Sequence, residues 1–246
     1  DHCVTGVQTC ALPIYADDSG EWVAYGLENT TVLIEDGVVT RLVPSSNYQL
    51  GQGDVTVTAR GRWVMPAPIA MAGAEDEAGL ERWLEGGRLV DATLTGIGSI
   101  VLPEALAEGP HGRCAASRLA ELEIPAASVI GADAESLAAL DGVPVLDGSL
   151  GPAQALERAI RDALDEGRSP TEILAMLTTM PSAALGRPSL GSVEPGAELK
   201  VLVLDENPLE NPLSILRPHA VTFGDRVMRR AEIEVLRDAS TRGEEM

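Results

Sequence analysis

Ala59-Arg60-Gly61-Arg62-Trp63-Val64-Met65-Pro66-Ala67-Pro68-Ile69-Ala70-Met71 is where the chain changes character. Before it, short strand-like runs follow one another. Thr30-Thr31-Val32-Leu33-Ile34 and Val38-Val39-Thr40-Arg41-Leu42-Val43 flank Glu35-Asp36-Gly37, and an Asp-Gly between two β-branched runs predicts a hairpin. Residues 54–59 alternate with period two, and Gly61 is expected to break the run before Trp63. After the quoted stretch, strand-like runs at 65–71, 97–102, 127–130 and 143–146 alternate with helical periods at 77–89 and 152–166. In the second helix Leu156, Ile160, Ala163 and Leu164 share a face, with Gly167 placed as a C-cap. Ser169-Pro170-Thr171-Glu172 is a capping box that opens another helix, and Pro181 is expected to stop it. This alternation predicts a mainly parallel α/β layer. The tail returns to strands at 199–204, 220–223 and 226–228, so β-rich ends flank an α/β middle.

Composition narrows the function classes. The 246 residues are 45% apolar, enough for a real core. With 38 acidic against 18 basic residues the net charge is −20, which repels nucleic-acid backbones and anionic lipid surfaces. No apolar run approaches the ~20 residues that span a bilayer, so a soluble protein is expected, cytoplasmic or periplasmic. Aromatics, at 3%, are too few for stacking platforms. Lys200 is the only lysine, and Cys3, Cys10 and Cys114 show no metal-binding spacing.

Val4-Thr5-Gly6-Val7-Gln8-Thr9-Cys10-Ala11-Leu12-Pro13-Ile14 resembles one translated reading frame of a sequencing-library adapter. It lacks the positive start and continuous apolar run of a secretory signal. Residues 1–14 are therefore expected to be non-native, which removes His2, Cys3 and Cys10 from any site and places the true N-terminus elsewhere.

Two further stretches carry a family resemblance. Val32 to Val39 followed by Ala59 to Pro66, and Leu190-Gly191-Ser192-Val193-Glu194-Pro195-Gly196 with Val201 to Leu209, resemble the amidohydrolase superfamily in its imidazolonepropionase-like and prolidase-like branch. Ser169 to Gly186 is similar to that family's final barrel helix. The resemblance implies a small β-sandwich made from both chain ends, here 15–66 and 191–236, around a TIM-type barrel at 67–190, with 237–246 as a tail. It also implies zinc or another divalent metal held by a His-x-His pair, a lysine or glutamate, two further histidines and an aspartate. The metal lowers the pKa of bound water, and the aspartate shuttles its proton.

Those ligands are missing. Ala72 and Ala74 stand at the two histidine positions and Ala70 at the acidic one. Leu150 falls where the aspartate belongs, with Asp147 three residues earlier on the expected strand. Lys200 belongs to the sandwich, which rules out a carbamylated bridging lysine in the barrel; His219 maps to the sandwich as well, leaving His111 alone in the middle. That middle holds roughly 120 residues where a complete barrel takes about 250. It has room for about four strand-helix units of ~30 residues.

Other candidates have ordinary readings beside functional ones. His111 with Cys114 is a metal corner or nucleophile pair, against a loop histidine beside a small buried cysteine. Asp147-Gly148-Ser149-Leu150-Gly151 is a near miss to a nucleophile elbow, against a tight turn, and its base would have to be His111 or His219. Glu75-Asp76-Glu77 is a calcium or carboxylate site, against a solvated helix start. Gly96-Ile97-Gly98-Ser99 lacks the third glycine of a dinucleotide fingerprint and reads as the approach to a strand. Glu244 and Glu245 are ordinary surface.

The expected fold is a reduced, partial TIM-type parallel sheet with helices, plus a small composite β-sandwich. No cofactor is expected, and no catalytic or metal residue is assigned. Three functional readings stand: an amidohydrolase-like protein that has lost metal-dependent hydrolysis and serves a structural or partner-binding role; a divergent hydrolase of C–N bonds in small cyclic amides or peptides, using His111, Asp147, Glu75 and Asp76; or a gene relic or mis-assembled fragment. The open flank of a half barrel predicts association, most simply as a homodimer.

Overall fold

A computed structural model describes the chain except residues 1–4, 12, 17–18, 20, 25, 36, 50–54, 75, 86–87, 122–126, 141, 147–149, 199, 224–225 and 244–246. Six strands come first: β1 (Thr5–Ala11), β2 (Ile14–Ala16), β3 (Trp22–Ala24), β4 (Leu27–Glu35), β5 (Val38–Pro44) and β6 (Val55–Pro66). The middle runs β7 (Ile69–Ala72), α1 (Glu77–Glu85), α2 (Arg88–Thr95), β8 (Ser99–Pro103), α3 (Glu104–Ala107), α4 (Pro110–Glu121), β9 (Ser128–Ala132), α5 (Ala134–Ala138), β10 (Val145–Leu146), α6 (Pro152–Asp165), α7 (Pro170–Leu177) and α8 (Thr179–Ala184). The chain closes with β11 (Lys200–Leu204), β12 (Ala220–Phe223), β13 (Arg226–Arg229) and α9 (Arg230–Gly243).

Strands from both ends join in one seven-stranded sheet, ordered β13-β12-β11-β6-β1-β4-β5, with β2 and β3 as a separate ribbon. The predicted β4/β5 hairpin turns through Gly37 at φ 76°, a left-handed conformation that a glycine adopts without steric cost. Gly61 does not end its strand. It sits inside β6 at φ 72°, where the register against β1 jumps from Gln8 opposite Thr58 to Cys10 opposite Trp63, so the expected break is a bulge. The stretch read as foreign thus supplies β1, paired on both sides. Val32, Ile34, Val39, Val64, Val201 and Val203 form this unit's core.

The second sheet is the reduced barrel. Four strands lie in the order β10-β7-β8-β9, with every neighbouring pair parallel. The sheet is open at β9 and β10, so the barrel is unclosed. Side chains alternate between two covered faces. Ala70, Ala72, Ile100 and Leu102 pack with Leu80, Trp83, Leu106 and Ala155 from the helices. Ile69, Val101, Ile130 and Ala132 pack with Leu140, Val143 and Leu190. The flank expected to need another chain is therefore covered in part by the chain's own connections, while β10 keeps Val145 46% exposed.

Helix boundaries follow local chemistry. Ser169 Oγ accepts from Glu172 N while Glu172 Oε2 accepts from Ser169 N, completing the predicted capping box of α7. Pro181 does not stop that helix; Thr178 leaves helical geometry at φ −133°, and Pro181 sits in the first turn of α8, where its missing N–H costs nothing. The single helix read at 77–89 is two, α1 and α2. On α6, Leu156, Ile160 and Ala163 are buried as expected, but Leu164 is 38% exposed. The expected tail is largely helical, since α9 continues to Gly243; Glu244 and Glu245 lie outside the described residues.

Candidate functional site

In a parallel αβ layer, chemistry gathers where strands end and helices begin. β7 ends at Ala72, held by Gly73 N donating to Leu146 O on β10. Ala72 and Ala74 are 7% and 5% exposed and belong to the apolar cluster of Leu80 and Trp83. At the positions where the resemblance puts two imidazoles there are two methyl groups in a buried apolar cluster that includes an indole and a leucine. This donor set does not fit a divalent metal, and among the described residues no three His, Cys, Asp or Glu side chains are arranged to hold one. The described part of β10 is Val145–Leu146; Asp147, Ser149 and Glu75, named as candidates from the sequence, lie outside the described residues.

His111 is the polar centre of this end of the sheet. It lies in the first turn of α4, not in a loop, and Cys114 one turn along is exposed, not buried. Its Nδ1 is 2.8 Å from Glu77 Oε2 on α1, and its Nε2 is 3.9 Å from Glu81 Oε1. The connections after β7 and β8 thus bring an imidazole between two carboxylates. Gly109 permits the approach, since a Cβ there would lie 2.0 Å from Glu77 Oε1. Asp76 is not part of the cluster: its Oδ1 caps α1 by accepting from Gly79 N. Sequence reasoning found His111 but missed Glu77 and Glu81 as its partners, because their meeting depends on how α1 and α4 pack. The pair can position a proton, with Glu77 fixing the ring, but among the described residues no nucleophile hydrogen-bonds to it.

The remaining polar groups lie on the seven-stranded sheet. Lys200, on β11 as read, is half-buried, with Nζ 3.1 Å from Glu198 Oε2 and hydrogen-bonded to Ser128 Oγ at the start of β9. Burial lowers the pKa of its ammonium, and the Glu198 charge restores only part of that. His219 Nδ1 is 3.2 Å from Asp205 Oδ1, whose carboxylate also meets Arg62 at 2.7 Å and Arg230 at 2.8 Å. Partial burial pushes the Asp205 carboxyl up, but hydrogen bonds from Arg62 and Arg230 outweigh it and hold it below its ordinary range. Gly96 and Gly98 form the predicted approach to β8; a Cβ on Gly98 would lie 2.7 Å from that of Ala67. A concavity of about 420 Å³ opens beside β10, lined by Val143, Val145, Leu150, Arg158 and Met176; His111, Glu77, Ala72 and Ala74 do not line it.

The sheet order and the β unit built from both chain ends define the class by fold, one shared with solved hydrolases and a deaminase and carrying here an unclosed barrel. The chain is similar to phenylurea hydrolase B (12% identity, 94% of this chain and 98% of that one, TM-score 0.65) and to molinate hydrolase (11%, 96% and 96%, 0.64). It is also similar to the guanine deaminase of E. coli (12%, 93% and 99%, 0.54). At these identities the likeness is one of fold. Comparisons of sequence found no matching family model and no matching curated protein. No described helix is long and apolar enough to cross a membrane.

Proposed function

We propose that this chain is an amidohydrolase-like scaffold that has lost metal-dependent hydrolysis and serves a structural or partner-binding role. The observation that carries the reading is the burial of Ala72 and Ala74 against Leu80 and Trp83. Hydrolysis in this fold depends on a metal that lowers the pKa of a bound water, and methyl groups donate no electron pair to one. Indole and leucine fill the surroundings, so the loss is compensated by packing. The similar structures bear hydrolase and deaminase names, which sets the chemistry to look for. The test is turnover of dipeptides, N-acyl amino acids and small cyclic amides, with and without added zinc or manganese. Rates equal to buffer background are expected. A metal-dependent rate that saturates with substrate overturns the reading.

A second reading, a divergent hydrolase of C–N bonds in small cyclic amides or peptides, is favoured by the position of His111 between Glu77 and Glu81 after β7 and β8. Under it, His111→Ala abolishes a turnover that Cys114→Ala leaves intact.

A further inference from the structure

We propose that the concavity between the 3-10 turn Pro212–Leu216 and the first turn of α9 binds a small anion carrying a carboxylate or phosphate group. Its volume is about 320 Å³, and Asp205, Glu206, Asn211, Leu213, Ser214, Arg217 and Arg230 line it. Within a chain of net charge −20 this corner gathers Arg62, Arg217, Arg229 and Arg230. The carboxylates among them are committed. Asp205 is held by Arg62, Arg230 and His219, Glu206 accepts from Asn211 Nδ2 at 2.7 Å, and Glu232 accepts from the Arg229 backbone N–H at 2.7 Å. Arg230 is fixed from behind by the carbonyls of Arg217 and Pro218. The Arg217 guanidinium, by contrast, makes no hydrogen bond or ion pair among the described residues, and it faces the same concavity. Ser214 belongs to the same wall, and its buried Oγ has no hydrogen-bond partner.

A planar guanidinium with free N–H donors beside a second, immobilised one suits bidentate capture of carboxylate or phosphate oxygens. The local field agrees with this. Burial lowers the pKa of His219, and Arg62, Arg230 and Arg229 lower it further, although Asp205 lies in contact. Three guanidiniums, those of Arg62, Arg229 and Arg230, thus lie close enough to His219 to oppose its protonation.

The experiment is calorimetric titration of the full chain with inorganic phosphate and, separately, with succinate, at low ionic strength and against sodium chloride of matched ionic strength. Saturable one-to-one binding of either anion is expected where chloride gives none. Phosphate alone assigns phosphate esters, and succinate alone assigns carboxylic acids. Arg217→Ala is expected to weaken binding at least tenfold. Arg161→Ala, which removes a guanidinium already paired with Glu157 on α6, is expected to leave it unchanged. No saturable heat with either anion, or equal affinity in Arg217→Ala, overturns the proposal.

Discussion

The seven-stranded sheet and the four-stranded sheet meet where Ala67 N donates to Lys200 O, yet they are held together by different chemistry. The first ties its edges with charge: Asp205 joins β6, the turn before β12 and the start of α9 through Arg62, His219 and Arg230. The second, at the end of β7, is apolar, with Ala72 and Ala74 in one buried cluster with Trp83 and Leu80, and its polar group, His111 with Glu77 and Glu81, lies on the helices beyond. A parallel sheet buried on both faces needs only continuous apolar runs to form, so the layer persists when ligands are replaced. At the end of β7 this sheet carries apolar core.

That contrast is broken most severely by removing the largest side chain of this apolar cluster. Trp83→Ala is expected to cost about 3–5 kcal/mol, read by urea unfolding, because it opens a cavity against Ala72 and Ala74. Restoring the imidazoles is next. The double variant Ala72→His, Ala74→His is expected to lose about 1–3 kcal/mol through overpacking and to gain no zinc affinity; tight binding would show that the pocket is still a metal site. On the boundary between the two units, Ser169→Ala breaks the capping box of α7 and is expected to cost about 1 kcal/mol.

The smallest effect concerns Lys200. Its folded pKa lies below the unfolded value of 10.5, so the folded chain gives up a proton that the unfolded chain retains. Stability should therefore rise with pH through the interval between the folded pKa and 10.5, and the strain is fully relieved only above it. Lys200→Met is expected to flatten that rise while changing stability at neutral pH very little, since an apolar side chain replaces a desolvated charge. A steeper alkaline rise in the variant would refute the assignment.

Much of this was legible in one dimension. The four parallel strands came from apolar runs separated by helical periods, and the hairpin at Gly37 and the capping box at Ser169 came from local stereochemistry that leaves few alternatives. Ala72 and Ala74 stood out because the motif that the resemblance places around them is short and contiguous, and the structure buries both. The rest depended on packing. Pro181 has the same local preference whether it ends a helix or starts one, and Gly61 the same freedom whether it ends a strand or bulges it. Glu77, read with Glu75 and Asp76, looked like a solvated helix start because nothing local tells a carboxylate that an imidazole 34 residues away will meet it. Residues 1–14 test the limit from the other side. The stretch read as adapter-like supplies a strand paired on both edges, and pairing alone does not establish native origin, since any extended segment satisfies backbone donors. Independent sequencing of the locus decides its origin.

The central claim is that the ligand positions at the end of β7 hold packing and not a metal. Its most direct test is elemental analysis of the purified chain after refolding with excess zinc or manganese and exhaustive dialysis. The account predicts well under one metal ion per chain, unchanged by His111→Ala. One tightly held ion per chain, lost on that substitution, would contradict it.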